Sequence, residues 1–233
     1  MNVLVACEES QRVCLAFRER GHNAYSCDIL ECSGSAPQWH IQGDVLQYLN
    51  PGISGVSFYT CDGVWHLITG WDLIIAFPPC TFLTVTGNRW FNVSRYGDKA
   101  IERLHNREKA VDFFLKIVSA NCPCIAIENP IGVMSTIYKK PSQIVQPWQF
   151  AYSYDEYYQK STCLWLKGLP KLVPFNTLDD IGLTFHEWET SSGKKKRQSQ
   201  WYYQTRCLPH KLRAVLASKT PFGLSRAMAE QWG

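Results

Sequence analysis

Trp71-Asp72-Leu73-Ile74-Ile75-Ala76-Phe77-Pro78-Pro79-Cys80 is the stretch that decides the fold. An apolar run of this length predicts a strand buried on both faces, as in a parallel sheet. Pro78 and Pro79 end it, because neither can donate to a ladder or continue into a helix. Cys80 is thereby held at the carboxyl end of a central strand, where open α/β sheets bind their ligands. A second short run, Cys124-Ile125-Ala126-Ile127, delivers Glu128-Asn129-Pro130 in the same way. Burying a carboxylate is costly unless something compensates it. A thiol and an acid at the ends of two neighbouring strands therefore predict a reactive site centred on Cys80 and Glu128. Taken singly, each also fits a plainer role, Cys80 as a small buried hydrophobe and Glu128 as a helix cap or structural ion pair.

Working outward, Asn2-Val3-Leu4-Val5-Ala6 reads as a first buried strand and Ser10 to Arg20 as a helix. The loop between them, Cys7-Glu8-Glu9-Ser10-Gln11, has no glycine. Its two acids suit a cationic ligand better than a phosphate. Ala24-Tyr25-Ser26-Cys27 reads as a second strand ending at Asp28, where an acid can hydrogen-bond ribose hydroxyls. Alternation of strands and helices up to residue 130 predicts a doubly wound α/β core. Ile101 to Ser119 is the clearest helix, with Leu104, Ala110, Val111, Phe114, Leu115 and Val118 spaced for one apolar face. Residues 48–70 predict an inserted hairpin turning at Asp62-Gly63. The stretch 138–206 reads as loops with a few strands, and Ser225 to Trp232 as a terminal helix.

The 233 residues fit one domain with a full core. No run of eighteen apolar residues and no charged leader is present, so the expectation is a soluble, cytoplasmic chain without membrane contact. Ten cysteines with core-like flanks in a chain this long point to a reducing compartment rather than a disulfide scaffold. Cys122-Pro123-Cys124 is too tight for a zinc knuckle and no partner pair follows, so no metal site is expected. Net charge is a modest +4. The run Lys194-Lys195-Lys196-Arg197 leads into Gln198-Ser199-Gln200-Trp201-Tyr202-Tyr203-Gln204-Thr205-Arg206, a basic and aromatic mixture suited to phosphates and bases, or simply a solvated loop. Arg89-Trp90-Phe91 and Arg95-Tyr96 form a second such cluster just past Cys80.

Pro79-Cys80 followed by Glu128-Asn129-Pro130 resembles the Pro-Cys and Glu-Asn-Val signatures of DNA (cytosine-5)-methyltransferases. The opening Val3-Leu4-Val5-Ala6-Cys7-Glu8, the segment Thr162 to Pro170 and the ending Ala227 to Gly233 are most similar to short phage and prophage members of that group. The likeness thus runs nearly end to end. It implies a single domain over 1–233 with a Rossmann-like doubly wound, mostly parallel sheet of the class I S-adenosylmethionine-dependent methyltransferase type, and a small irregular C-terminal region. It also implies methylation of cytosine carbon 5 in DNA. Cys80 would add to carbon 6 of a base flipped from the stack, and Glu128 would contact ring N3. S-adenosyl-L-methionine would lie against Cys7, Glu8, Asp28, Asp44 and Pro78. DNA would meet Arg89, Lys194, Lys195, Lys196, Arg197 and Arg206, in a bacterial host cell if the chain is phage-encoded. Three departures stand out. The first loop lacks the family's glycines. Ser161 and Cys163 stand where the family's Gln-x-Arg-x-Arg strand carries arginines, leaving Lys160 or the basic tail to replace their charge. Only about 171–215 remains for target recognition. Two other readings stay open: carbon-5 modification of pyrimidines in RNA or nucleotides, and a methyltransferase-like fold that binds nucleic acid without turnover.

Overall fold

A computed structural model of the protein describes residues 1–177, 182–209, 212, 216 and 218–233, without the side chains of Tyr202 and Arg206. In chain order its elements are β1 (Asn2–Ala6), α1 (Arg12–Glu19), β2 (Asn23–Asp28), β3 (His40–Gln42), β4 (Val56–Tyr59), β5 (Trp65–Ile68), β6 (Leu73–Ala76), α2 (Val93–Tyr96), α3 (Asp98–Val118), β7 (Cys124–Pro130), α4 (Met134–Ile137), β8 (Gln143–Val145), β9 (Thr162–Lys167), β10 (Phe185–Glu189), β11 (Lys195–Ser199), α5 (Gln200–Arg206) and α6 (Phe222–Trp232). Short 3₁₀ turns link several of them.

Seven strands form one sheet in the order β3-β2-β1-β6-β7-β9-β8. The first five are mutually parallel. Strand β9 runs antiparallel to both β7 and β8. The fold is therefore α/β, Rossmann-like, with a mostly parallel central sheet flanked by helices. Chain order reverses between β1 and β6, and the crevice outside such a switch point is where doubly wound sheets bind ligands.

The central strands are buried on both sides, which is why their sequences show no polar alternation. Leu4, Ala6, Ile74, Ala76, Ile125 and Ile127 face the layer holding Phe114 and Ile117 of α3 and Phe58 and Ile68 of the β4–β5 hairpin. Val3, Val5, Leu73, Ile75 and Ala126 face Val13 and Phe17 of α1 and Leu224 and Met228 of α6. The hairpin stands where a helix would otherwise cover β2. Tyr25 meets the Phe58 ring edge-on at 5.0 Å and its hydroxyl bonds His66 Nδ1 at 3.0 Å. Asp62-Gly63 lies in its turn, with Gly63 at φ +81°, a left-handed backbone that glycine adopts without steric cost.

Helix α3 departs from the expected pattern. It starts at Asp98, and Leu104 and Leu115 are 39% and 37% exposed rather than buried. Its amino-terminal half lies against the 3₁₀ turn at Val85–Phe91, so that half presents arginines to the turn instead of apolar side chains to the sheet. Helix α6 begins at Phe222, three residues before the expected start, because buried Glu156 accepts from the amides of Phe222 and Gly223. No helix among the described residues is long and apolar enough to cross a membrane.

Candidate active site

The register aligns Ala6 with Cys27 and with Ala76, and Ala76 with Ile127. The next residue on each strand, namely Cys7, Asp28, Phe77 and Glu128, therefore lies in one row at the carboxyl edge of the sheet. Cys80 stands just above that row. Its carbonyl accepts from the amides of Leu83 and Thr84, both at 3.0 Å, in a tight turn that leaves the side chain exposed. Pro78 is buried, and its carbonyl accepts from Asn129 Nδ2 at 2.8 Å, tying the end of β6 to the end of β7.

The loops beyond these strands are joined as well. Val133 N donates to Leu83 O at 2.8 Å, Val85 N donates to Ile131 O at 3.3 Å, and Thr84 bridges to Gly132. A Cβ at Gly132 would lie 2.3 Å from the Leu83 carbonyl oxygen, so only glycine permits this approach. Asn129 and Gly132 thus hold the loops carrying Cys80 and Glu128 together. Sequence reading assigned neither a role, although a glycine two residues past Glu-Asn-Pro is the kind of signal that marks close backbone contact.

Cys80, Glu128 and Lys160 form one electrostatic unit. Burial raises the Glu128 carboxyl above the usual carboxylate range, while Lys160 and the Thr162 hydroxyl pull it down. Partial desolvation by the surrounding atoms raises the solvent-accessible Cys80 thiol, the Glu128 charge raises it further, and Lys160 opposes both. Thr162 pairs with Pro130 across the β7–β9 ladder, and its hydroxyl donates to the Lys160 carbonyl at 3.2 Å. The coupling has a chemical consequence, since protonating Glu128 removes the anion that suppresses Cys80 ionisation.

Cys7, Asp28 and Asp44 come together on the other side of the switch point. The Cys7 thiol is pushed up to about 12, mainly by burial and then by the charges of Asp28 and Asp44. Asp28 accepts from Leu30 N at 2.9 Å and Asp44 from Leu46 N at 3.0 Å, so each is fixed by its own turn. The glycine-free loop turns sharply nonetheless. Cys7 and Gln11 both have φ of 60°, a conformation that costs a non-glycine residue roughly 1–2 kcal/mol. Cys7 N bonds Cys27 O at 2.7 Å, and the buried Gln11 amide clamps Ala36 through bonds of 2.8 and 3.0 Å. Glu8 points elsewhere. Its carboxylate is buried and caps α1, accepting from Val13 N at 2.7 Å and Cys14 N at 3.2 Å.

Arg89 is exposed, with its guanidinium 4.6 Å from the Trp90 ring centre. Lys194 lies in the turn of the β10–β11 hairpin, and Lys195, Lys196 and Arg197 lie on β11. Register sets Lys195 opposite Glu189 and Arg197 opposite Glu187, so half of that basic run faces acids across the ladder. Arg206 ends α5, and its side chain lies outside the described residues. So do positions 178–181, 210, 211, 213–215 and 217 within and beside the expected recognition region. A cleft of about 570 Å³ opens elsewhere, between α1 and the start of α6, and includes neither Cys80 nor Glu128. Among the described residues no group of three or more His, Cys, Asp or Glu side chains is placed to hold a metal ion. No protein-family model matches the chain, and no curated protein is significantly similar to it.

Proposed function

We propose that the chain is an S-adenosylmethionine-dependent methyltransferase acting on carbon 5 of cytosine in DNA. The observation that carries this reading is an exposed thiol and a desolvated acid, electrostatically coupled, on adjacent parallel strands beside an acidic crevice at the switch point. Cytosine carbon 5 is a weak nucleophile while the ring is aromatic. Addition of the Cys80 thiolate to carbon 6, with transfer of the Glu128 proton to N3, converts C4–C5–C6 into an enamine whose nucleophilic atom is carbon 5. S-adenosylmethionine, when bound, supplies an electrophilic methyl group on a sulfonium. Transfer of the carbon-5 proton to water then lets the C6–S bond break, which regenerates the Cys80 thiolate, and N3 returns its proton to Glu128. Asp28 and Asp44 fit a donor carrying positive charge and ribose hydroxyls, and the left-handed turn at Cys7 brings backbone to that crevice without glycine.

A second reading, carbon-5 chemistry on RNA or on nucleotides, is favoured by the small size of the region after β9. Between Lys167 and Phe222 the described strands are the two of the β10–β11 hairpin, which offer little surface for reading a duplex sequence. One experiment tests the chemistry. DNA containing 5-fluorocytosine is incubated with protein and donor, then resolved on denaturing gels. A donor-dependent adduct mapping to Cys80, lost in Cys80→Ser, is expected. An adduct on Cys7 or Cys163, or methylation without trapping, would overturn the mechanism, and RNA and nucleotide arms separate the two substrate classes.

A further inference from the structure

A face beside Cys80, apart from the hairpin run that sequence reading favours, gathers exposed cations around two aromatic rings. The segment after the nucleophile folds into the 3₁₀ turn at Val85–Phe91 and helix α2, both packed against α3. It exposes Arg89, Arg95 and Lys99. Two aromatic rings lie among them. Trp90 and Tyr96 contact each other with centres 5.1 Å apart, Arg89 stacks on Trp90 at 4.6 Å, and Arg95 lies 5.4 Å from the Tyr96 ring centre. Trp90 remains 41% exposed.

Two further arginines back this face. Arg107 donates to Phe82 O and to Asn88 Oδ1, both at 2.8 Å, and covers the Phe91 ring at 3.4 Å. Arg103 lies 5.1 Å from the ring centres of both Phe82 and Phe91, and its Nε is buried without a hydrogen-bond partner. Arg103 and Arg107 are one helical turn apart, a like-charge spacing that destabilises a helix in the absence of an anion. Asp98, Glu102 and Glu108 are the acids on the same stretch of α3. Among the described residues none of these five cations forms an ion pair. In the β10–β11 hairpin, by contrast, Glu187 and Glu189 stand opposite Arg197 and Lys195.

We propose that Arg89, Arg95 and Lys99, with Trp90 and Tyr96 between them, form the surface that holds the phosphate backbone of duplex DNA beside the reacting base, in preference to the β10–β11 hairpin. This rests on the nucleic-acid substrate proposed above. Arginine and lysine contact phosphates through charge, and the exposed indole can wedge against or stack on a base displaced near Cys80. Arg103 and Arg107 hold the loop in place and add to the field.

The test is binding of a fluorescent DNA duplex, followed by anisotropy over a series of salt concentrations. Wild type is compared with Arg89→Gln/Arg95→Gln/Lys99→Gln and with Lys194→Gln/Lys195→Gln/Lys196→Gln/Arg197→Gln. Each lost phosphate contact lowers the slope of log K against log salt by about 0.9. The first variant is expected to lose about 2–3 in slope, and the second less than about 1. All substituted side chains are exposed, and melting curves establish that both variants fold. The reverse ranking would overturn the inference and leave the proposed function standing. Absence of wild-type binding to duplex would overturn both, and binding restricted to RNA or single strands would transfer the face to that partner and refute the duplex assignment.

Discussion

Gly132→Ala is expected to damage the site more than any other single methyl added to this chain's carboxyl-edge loops. The new Cβ would lie 2.3 Å from Leu83 O, 3.0 Å from Leu83 C and 3.3 Å from Thr84 Cα. All three atoms are backbone, so no rotamer change relieves the clash, and the loop after Cys80 must withdraw. Withdrawal breaks the Val133–Leu83 and Val85–Ile131 hydrogen bonds, each worth about 1 kcal/mol net. Residual overpacking adds about 1–3 kcal/mol where the loop cannot move away. A loss of about 3–5 kcal/mol follows, which for a chain of this size is a melting-temperature drop of roughly 6–20 °C. The functional effect should be larger than the stability effect. Leu83 N also donates to Cys80 O, so moving Leu83 moves the turn that presents the thiol. Trapping on 5-fluorocytosine DNA should fall by more than about tenfold, since small misplacements of reacting groups carry penalties of that order. Gly70→Ala is the control, because nothing lies within 4 Å of its added Cβ. Differential scanning calorimetry and adduct formation read the two effects. A Gly132→Ala protein melting within about 2 °C of wild type, with unchanged trapping, would refute the view that this contact positions the nucleophile.

Alkylation of Cys80 by iodoacetamide, mapped by mass spectrometry across pH, should be faster near neutrality in Glu128→Gln and slower in Lys160→Met, because the first removes the anion that suppresses the thiolate and the second the cation that supports it. Identical profiles in all three proteins would dissolve the proposed unit. Asp28→Ala should weaken S-adenosylmethionine binding by about 1–3 kcal/mol in calorimetry, the usual cost of an unpaired buried partner; equal affinity would remove Asp28 from the donor crevice. Burial raises the Glu8 carboxyl to about 7 from an unfolded value near 4.5. The folded chain therefore holds a proton that the unfolded chain releases, and the stability this contributes is fully present below about pH 4.5 and lost as pH rises to about 7. Glu8→Gln should flatten that decline, by at most about 3 kcal/mol, and an unchanged pH–melting curve would show that Glu8 does not titrate in this window.

How much of this was legible in the chain depends on the range over which each feature is determined. The strands β1 and β6 were legible because burial on both faces makes every residue apolar, and the following prolines or loop mark where the strand stops. Pairing Cys80 with Glu128 was legible for the same reason, as two apolar runs ending in reactive residues predict two ends on one edge. Features set by a partner far along the chain were not. Glu156 caps α6 from 66 positions away, and nothing near Phe222 signals it. The sequence suggested no role for Arg103 and Arg107 of α3, yet both are turned onto the loop that follows Cys80. That Glu187 and Glu189 stand opposite Arg197 and Lys195 of the run 194–197 becomes visible only with the register of the hairpin.

Lys160 carries the same lesson to the chemistry. The family frame directs attention to Ser161 and Cys163, where arginines are expected. Within a strand, alternate side chains take opposite faces, and Cys163 belongs to the core on the α3 side. Lys160 precedes β9 and is bound by no such alternation, so its ammonium can act on both Cys80 and Glu128. A single flexible cation placed just outside a strand thus supplies charge to a thiol and an acid at once. Its effect on the two is opposite to that of burial, since it favours the thiolate and the carboxylate alike. In the proposed chemistry, substrate would remove the competition by offering N3 to the Glu128 proton while the Lys160 charge remains to support sulfur.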